Sequence, residues 1–257
     1  MADLFSQELK ARRQTGLEEA YQTLCRNIDI QTVSFAEGAD KLAVIAAESR
    51  QQTQYQKAIK QAGLPCSRAH YRDVDYTHAR RLEMESFNQQ FQLHWVEDKA
   101  NIVITGPSQI GKNWLGSALA VQAIQEHYKV KAYRIDSFLD EFNNNRERLT
   151  RAGKSALDEM LRQIRKLDVL FLFGLGIKGL TEQQCQDLEA VIRLLSGELS
   201  LIVTSPIASH SWLDYFDRSY IGEVVVNRIL TRSIVFDLSG KPYTNLPTPK
   251  KSNGKAS

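Results

Sequence analysis

The residues best suited to chemistry form one short stretch, Gly106-Pro107-Ser108-Gln109-Ile110-Gly111-Lys112-Asn113, which fits the spacing G-x-x-x-x-G-K. Glycines at both ends let backbone N–H groups wrap a run of phosphates, and the lysine reaches their outer oxygens. An apolar run, Asn101 to Thr105, precedes the stretch, and an amphipathic segment to about His127 follows it. Strand, loop and helix in that order aim the helix's positive end at the phosphates, so the motif is far more specific than its spacing alone. The alternative is an ordinary strand-to-helix turn whose lysine faces solvent.

Two positions depart from what phosphate chemistry with magnesium requires. A Ser or Thr hydroxyl normally follows the lysine and ligates the metal; here the residue is Asn113, whose amide oxygen is longer and points its dipole differently. A second strand normally ends in an Asp that holds the metal, often with another acid that polarises the attacking water. The matching run is Asp168-Val169-Leu170-Phe171-Leu172-Phe173-Gly174-Leu175-Gly176, where Phe173 and Gly174 stand in the acids' places. Asp168 lies five residues of extended chain away, roughly 16 Å, and the next carboxylate is Glu182. Asp136, after another strand, is the candidate for a substitute acid. Phosphoryl transfer depends on positioning and on the metal's charge, so these changes point to slow or absent hydrolysis. Nucleotide contacts through the backbone and Lys112 survive them. Trp114 either packs beneath the loop or flanks a base. Gln109, where a glycine would leave room, sets a further alternative in which the channel is crowded and no nucleotide enters.

These residues need elements to hold them. From Ser6 to about Leu64 the chain reads as helix, with Leu9, Leu17, Ala20, Tyr21 and Leu24 at helical spacing. Ser34 with Glu37 three residues on predicts a capping box, and Gly63-Leu64-Pro65 stops the helix that follows. After Pro65 short β-rich runs alternate with helical stretches: Asn101 to Thr105, Val130 to Ile135, Asp168 to Phe173, Leu201 to Thr204 and Ile234 to Leu238. That alternation predicts an α/β fold, a parallel sheet with helices on both faces, preceded by a small helical region. The expected division is 1–65 helical, 66–243 the phosphate-loop domain, and 244–257 a polar, lysine-bearing tail too poor in apolar residues to fold.

Composition sets the class. Hydrophobic residues at 42% and charged residues at 25% describe a folded globular chain, and no apolar run is long enough to span a membrane. The first residues lack a secretory layout, so a cytoplasmic protein is expected. Cys25, Cys66 and Cys185 are far apart and odd in number, which suggests neither a disulfide framework nor a metal cluster. The formal charge of +3 permits nucleic-acid binding without requiring it. Cations scattered over the first helices, among them Lys10, Arg12, Arg13 and Arg26, fit either solvated faces or a DNA-contacting surface.

Taken together, these motifs resemble the IstB-like family, AAA+ transposition helpers related to DnaC-type helicase loaders, over nearly the whole chain. The resemblance rests on Leu9 to Leu17, on Ser34-Phe35-Ala36-Glu37, and on Gly106 to Asn113 against the family's G-P-T-G-x-G-K-T. Gly176 with Leu180 and Thr181, Val203-Thr204-Ser205, Trp212 and Asn227-Arg228-Ile229-Leu230 continue it. It implies that ATP is held by Gly106 through Trp114 with Thr204 and Ser205 near the outer phosphate. It further implies that Arg228 reaches a neighbouring subunit's nucleotide, and that partners are DNA, a transposase and other copies of the chain. The family's two acids are missing here. Three readings stay open: a nucleotide-binding DNA adaptor with little turnover, a working ATPase or helicase-loader-like protein with rearranged metal ligands, and a scaffold that binds no nucleotide.

Overall fold

The computed structural model describes residues 4–12, 14–27, 34–77, 80–216, 219–240 and 242. The tail expected over 244–257 lies outside them. Contacts divide the chain into two compact units, Met1–Ala58 and Ile59–Ser257. The division falls inside a helix, a few residues before the change of sequence character at Pro65.

In the first unit, α1 (Leu4–Ala11) packs on α2 (Thr15–Asn27), and Leu9, Ala20 and Leu24 are buried. A polar seam holds the pair: the Ser6 hydroxyl donates to Glu18 (3.0 Å) and accepts from the Gln22 amide (3.1 Å). Lys10 and Arg12, two of the scattered cations, are ion-paired with Glu18 and Glu8 at 3.4 Å each. Helix α3 (Phe35–Ala62) starts at the expected capping box, in which Glu37 N–H donates to the Ser34 hydroxyl (3.3 Å) and Ser34 N–H donates to the Glu37 carboxylate (3.1 Å). Donation from the Ser34 N–H, and from the Ser34 hydroxyl, holds the Glu37 carboxyl below its usual range. Gly63, at φ +68°, ends the helix in the left-handed turn that glycine favours.

In the second unit, five parallel strands lie in the order β2-β3-β4-β1-β5: β1 (Asn101–Thr105), β2 (Val130–Arg134), β3 (Val169–Phe173), β4 (Ser200–Ser205) and β5 (Ser233–Asp237). The short α4 (Met84–Gln89) and α5 (His94–Glu97) precede β1, and α6 (Lys112–Gln125) follows it. Between β2 and β3 come α7 (Ile135–Asn145) and α8 (Ala156–Ile164); α9 (Glu182–Leu195), α10 (Trp212–Tyr215) and α11 (Tyr220–Leu230) follow among the described residues. β2 stops at Arg134, one residue before its expected end, because Ile135 turns into the core as the first residue of α7.

Strand side chains alternate between two buried faces, as a doubly covered sheet requires. Val103, Leu170, Leu172, Leu201 and Val203 share one core with α7, α9 and α11. Phe171 and Ile202 face α6, which approaches so closely at Gly116 that an added Cβ would lie 2.7 Å from the Phe171 ring. This tight seat fixes the start of α6, and with it the phosphate loop, at the carboxyl end of β1.

Candidate functional site

The loop leaves β1 under close constraint. Gly106 N–H donates to the Ser205 carbonyl (3.2 Å), and a Cβ on Gly106, at φ +136°, would stand 2.4 Å from the Leu238 carbonyl oxygen. Only glycine fits there. Gly111, at φ +94°, caps α6. Gln109 takes the left-handed φ of +62°, at a cost of about 1 kcal/mol for a residue with a Cβ, and its side chain is exposed on the cavity wall.

Lys112 folds back over the loop. Its ammonium donates to the Pro107 carbonyl (2.7 Å), the residue is only 9% exposed, and burial pulls its pKa from 10.5 to about 8. A desolvated cation with a single neutral acceptor is ready to exchange that acceptor for a phosphate oxygen. Beside it, Asn113 is engaged: its side-chain oxygen accepts from the Thr204 hydroxyl at 2.7 Å. Thr204 in turn is tied to the neighbouring strand, its carbonyl accepting from Gly174 N–H (3.0 Å) and Leu175 N–H (3.1 Å).

At the end of β3, Phe173 pairs in register with Thr204, and its ring lies 5.6 Å from that of Phe171. Asp136 sits beyond β2, which is three strand spacings from β1, roughly 14 Å. Its carboxylate is bound to Arg134 (2.9 Å) and approached by Lys178 (4.0 Å). Its carboxylate is thus engaged by these cations, and Asp136 is not among the residues lining the cavity over the loop.

A cavity of about 560 Å³ opens over the loop. Of the residues singled out in the sequence, Cys66, Ser108, Gln109, Gly111, Lys112, Asn113, Trp114, Gly174 and Thr204 line it. Gly106, Pro107 and Ile110 shape the loop behind the wall. Ser205 is fully buried, and its hydroxyl accepts from Ile207 N–H (3.1 Å) instead of facing the cavity. Arg228 stands at the other end of the sheet: the next residue's carbonyl accepts from Asn101 at the start of β1 (2.9 Å), some four residues or roughly 13 Å below the loop. There Arg228 joins Lys99 and Arg232 around a second cavity of about 240 Å³.

Sequence reasoning missed Arg80, which bonds the loop from the segment before α4, and Asp73 and Asp75, which line the same cavity. Nothing in their spacing signals this.

The family profile described as "IstB-like ATP binding protein" matches residues 7–249. The chain belongs to this family. An insertion sequence ATP-binding protein of Sinorhizobium fredii is 25% identical over 88% of this chain and 90% of its own length. One of Geobacillus stearothermophilus is 25% identical over 88% of both. Among solved structures, DnaI superposes with a TM-score of 0.53 at 16% identity, covering 71% of this chain and 93% of its own. The DnaC helicase loader does so at 0.51 and 17%, covering 64% and 94%. These likenesses show the fold, a P-loop NTPase of the AAA+ type, as the sequence predicted. No helix among the described residues of this IstB-like chain is long and apolar enough to cross a membrane.

Proposed function

We propose that this IstB-like protein is an ATP-gated helper that binds nucleotide without appreciable turnover, assembles with copies of itself on DNA and assists a transposase. The observation that carries the reading is a phosphate loop with its lysine in place beside a metal-ligand position already engaged by a neighbouring hydroxyl. Lys112 and the first amides of α6 stand ready for phosphates, whereas the Asn113 oxygen already accepts from Thr204. Phe173 and Gly174 offer no carboxylate, and Asp136 is paired elsewhere. The residues at the usual positions do not fit magnesium, so the reading routes no step through it. Its curated relatives' names supply ATP and the insertion sequence; that kinship supports DNA and a transposase as partners and a cytoplasmic location.

Arg228 supports assembly. It cannot serve its own loop from the far end of the sheet, and there it would face a neighbour's nucleotide if subunits stack head to tail. The test is equilibrium binding of a fluorescent ATP analogue with and without magnesium, beside Lys112→Ala. Binding that ignores magnesium and disappears in the variant is expected. No binding in either condition would refute the reading and leave a scaffold; phosphate release stimulated by DNA would instead favour a working ATPase.

A further inference from the structure

We infer that Arg80 is a second phosphate-binding cation of the loop cavity, carrying part of the charge that a metal would otherwise bring to a nucleoside triphosphate. The inference rests on the reading of this cavity as a nucleotide site. Arg80 is 2% exposed, an unusual depth for an arginine. One guanidinium nitrogen donates to the carbonyl of Ile110 within the phosphate loop (3.2 Å), and the other terminal nitrogen donates to the Asp75 carbonyl (2.8 Å). Its own carbonyl accepts from Ser239 N–H (3.2 Å), just past β5, so backbone and head group are both fixed.

The guanidinium lies against Gly111. A Cβ at that glycine would stand 2.7 Å from the Arg80 nitrogen, so the absence of a side chain at 111 makes room for the arginine as well as for the turn. Gly111 and Lys112 begin the helix whose first amides would face a bound phosphate. Arg80 and Lys112 are thus the cations on the described wall of one cavity, held on either side of the same turn. Two acids share that wall. The Asp75 carboxylate accepts from Thr77 N–H (2.8 Å) and its hydroxyl (2.7 Å), and Asp73 is exposed at the margin.

A triphosphate bound without metal needs fixed cations to offset its charge. An arginine already desolvated and locked in place supplies one with little further ordering cost. A clamp that merely braces the loop would occupy the same position, so the test must separate the two roles.

Affinities for ATP, ADP and AMP would be measured by calorimetry in EDTA on the full chain, for the natural protein, Arg80→Gln, Arg80→Lys and Lys112→Ala. The expected result for Arg80→Gln is a fall of about 10- to 100-fold for ATP and ADP and a much smaller one for AMP, with Arg80→Lys between. An equal loss for all three nucleotides, or none, would overturn the inference in favour of a brace. Should Arg80→Gln fail to fold, arginine-labelled natural protein decides by NMR. The Arg80 Nε–H resonance, assigned through Arg80→Lys, should move on adding ATP in EDTA and stay in place with adenosine; no movement with ATP refutes the role. If the natural protein binds no ATP in EDTA, the nucleotide reading itself fails. If it binds, Lys112→Ala does not, and Arg80→Gln matches the natural protein, only the Arg80 inference falls.

Discussion

Raising the pH should weaken nucleotide binding through Lys112 alone, and by an amount the structure sets. Burial holds this lysine's pKa near 8 in the free protein, down from 10.5, which corresponds to on the order of 3 kcal/mol against its charged form. A phosphate beside the ammonium favours that charged form and raises the pKa again, so binding takes up a proton once the free lysine has lost it. Affinity is then level below about pH 8 and falls roughly tenfold per pH unit above it. Between pH 7 and 9.5 the drop is roughly 30-fold, provided the bound lysine stays protonated throughout. The stability of the free protein moves the opposite way. Over the interval from about 8 to 10.5 the unfolded chain holds more protons at this site than the folded one, so the lysine's contribution to folding stability rises with pH. Fluorescence anisotropy of a labelled ATP analogue across that range, in EDTA and at constant ionic strength, reads the affinity. Lys112→Arg keeps its charge at every pH and should give a flat profile. A natural protein that is equally flat, or a Lys112→Arg profile that falls in parallel, would show that the buried lysine does not meet the phosphates.

Gly116→Ala should cost about 1–3 kcal/mol in urea unfolding, because the new methyl meets the Phe171 ring at 2.7 Å and Ile202 at 3.3 Å; an unchanged midpoint would contradict the close seating of α6. Introducing Asn113→Thr together with Phe173→Asp restores a hydroxyl and a carboxylate at the metal positions, and nucleotide affinity should then rise several-fold on adding magnesium, measured by the same anisotropy. Arg228→Ala is expected to leave nucleotide affinity within about twofold while abolishing ATP-dependent assembly on DNA in sedimentation velocity; undiminished assembly would remove Arg228 from the subunit boundary. Thr204→Val withdraws the donor from Asn113 and should lower stability by about 1 kcal/mol by thermal melting.

Local chemistry wrote the loop, the five strands and the capping box of α3 into the sequence. Glycine spacing, an apolar run and a Ser/Glu pair are signals confined to a few neighbouring residues, and Gly106, Gly111, Ser34 and Glu37 each act where the sequence placed them. The absence of acids at Phe173 and Gly174 was legible for the same reason. Chain order could not disclose that Thr204 spends its hydroxyl on Asn113, 91 residues away, or that Ser205, its neighbour in the same motif, turns into the core. Alternate strand residues face opposite sides of the sheet, so adjacent hydroxyls could not both reach the cavity.

The sequence by itself thus determined the fold class, the family and the presence of a phosphate loop, because each depends on periodicity and on short-range spacing. Tertiary structure alone decided which side chains share the cavity: Arg80 beside Gly111, Asp136 drawn off to Arg134 and Lys178, and Arg228 at the opposite end of the sheet. Strand order and the packing of α6 set those distances, and both arise from contacts between residues far apart in the chain, which no local pattern encodes.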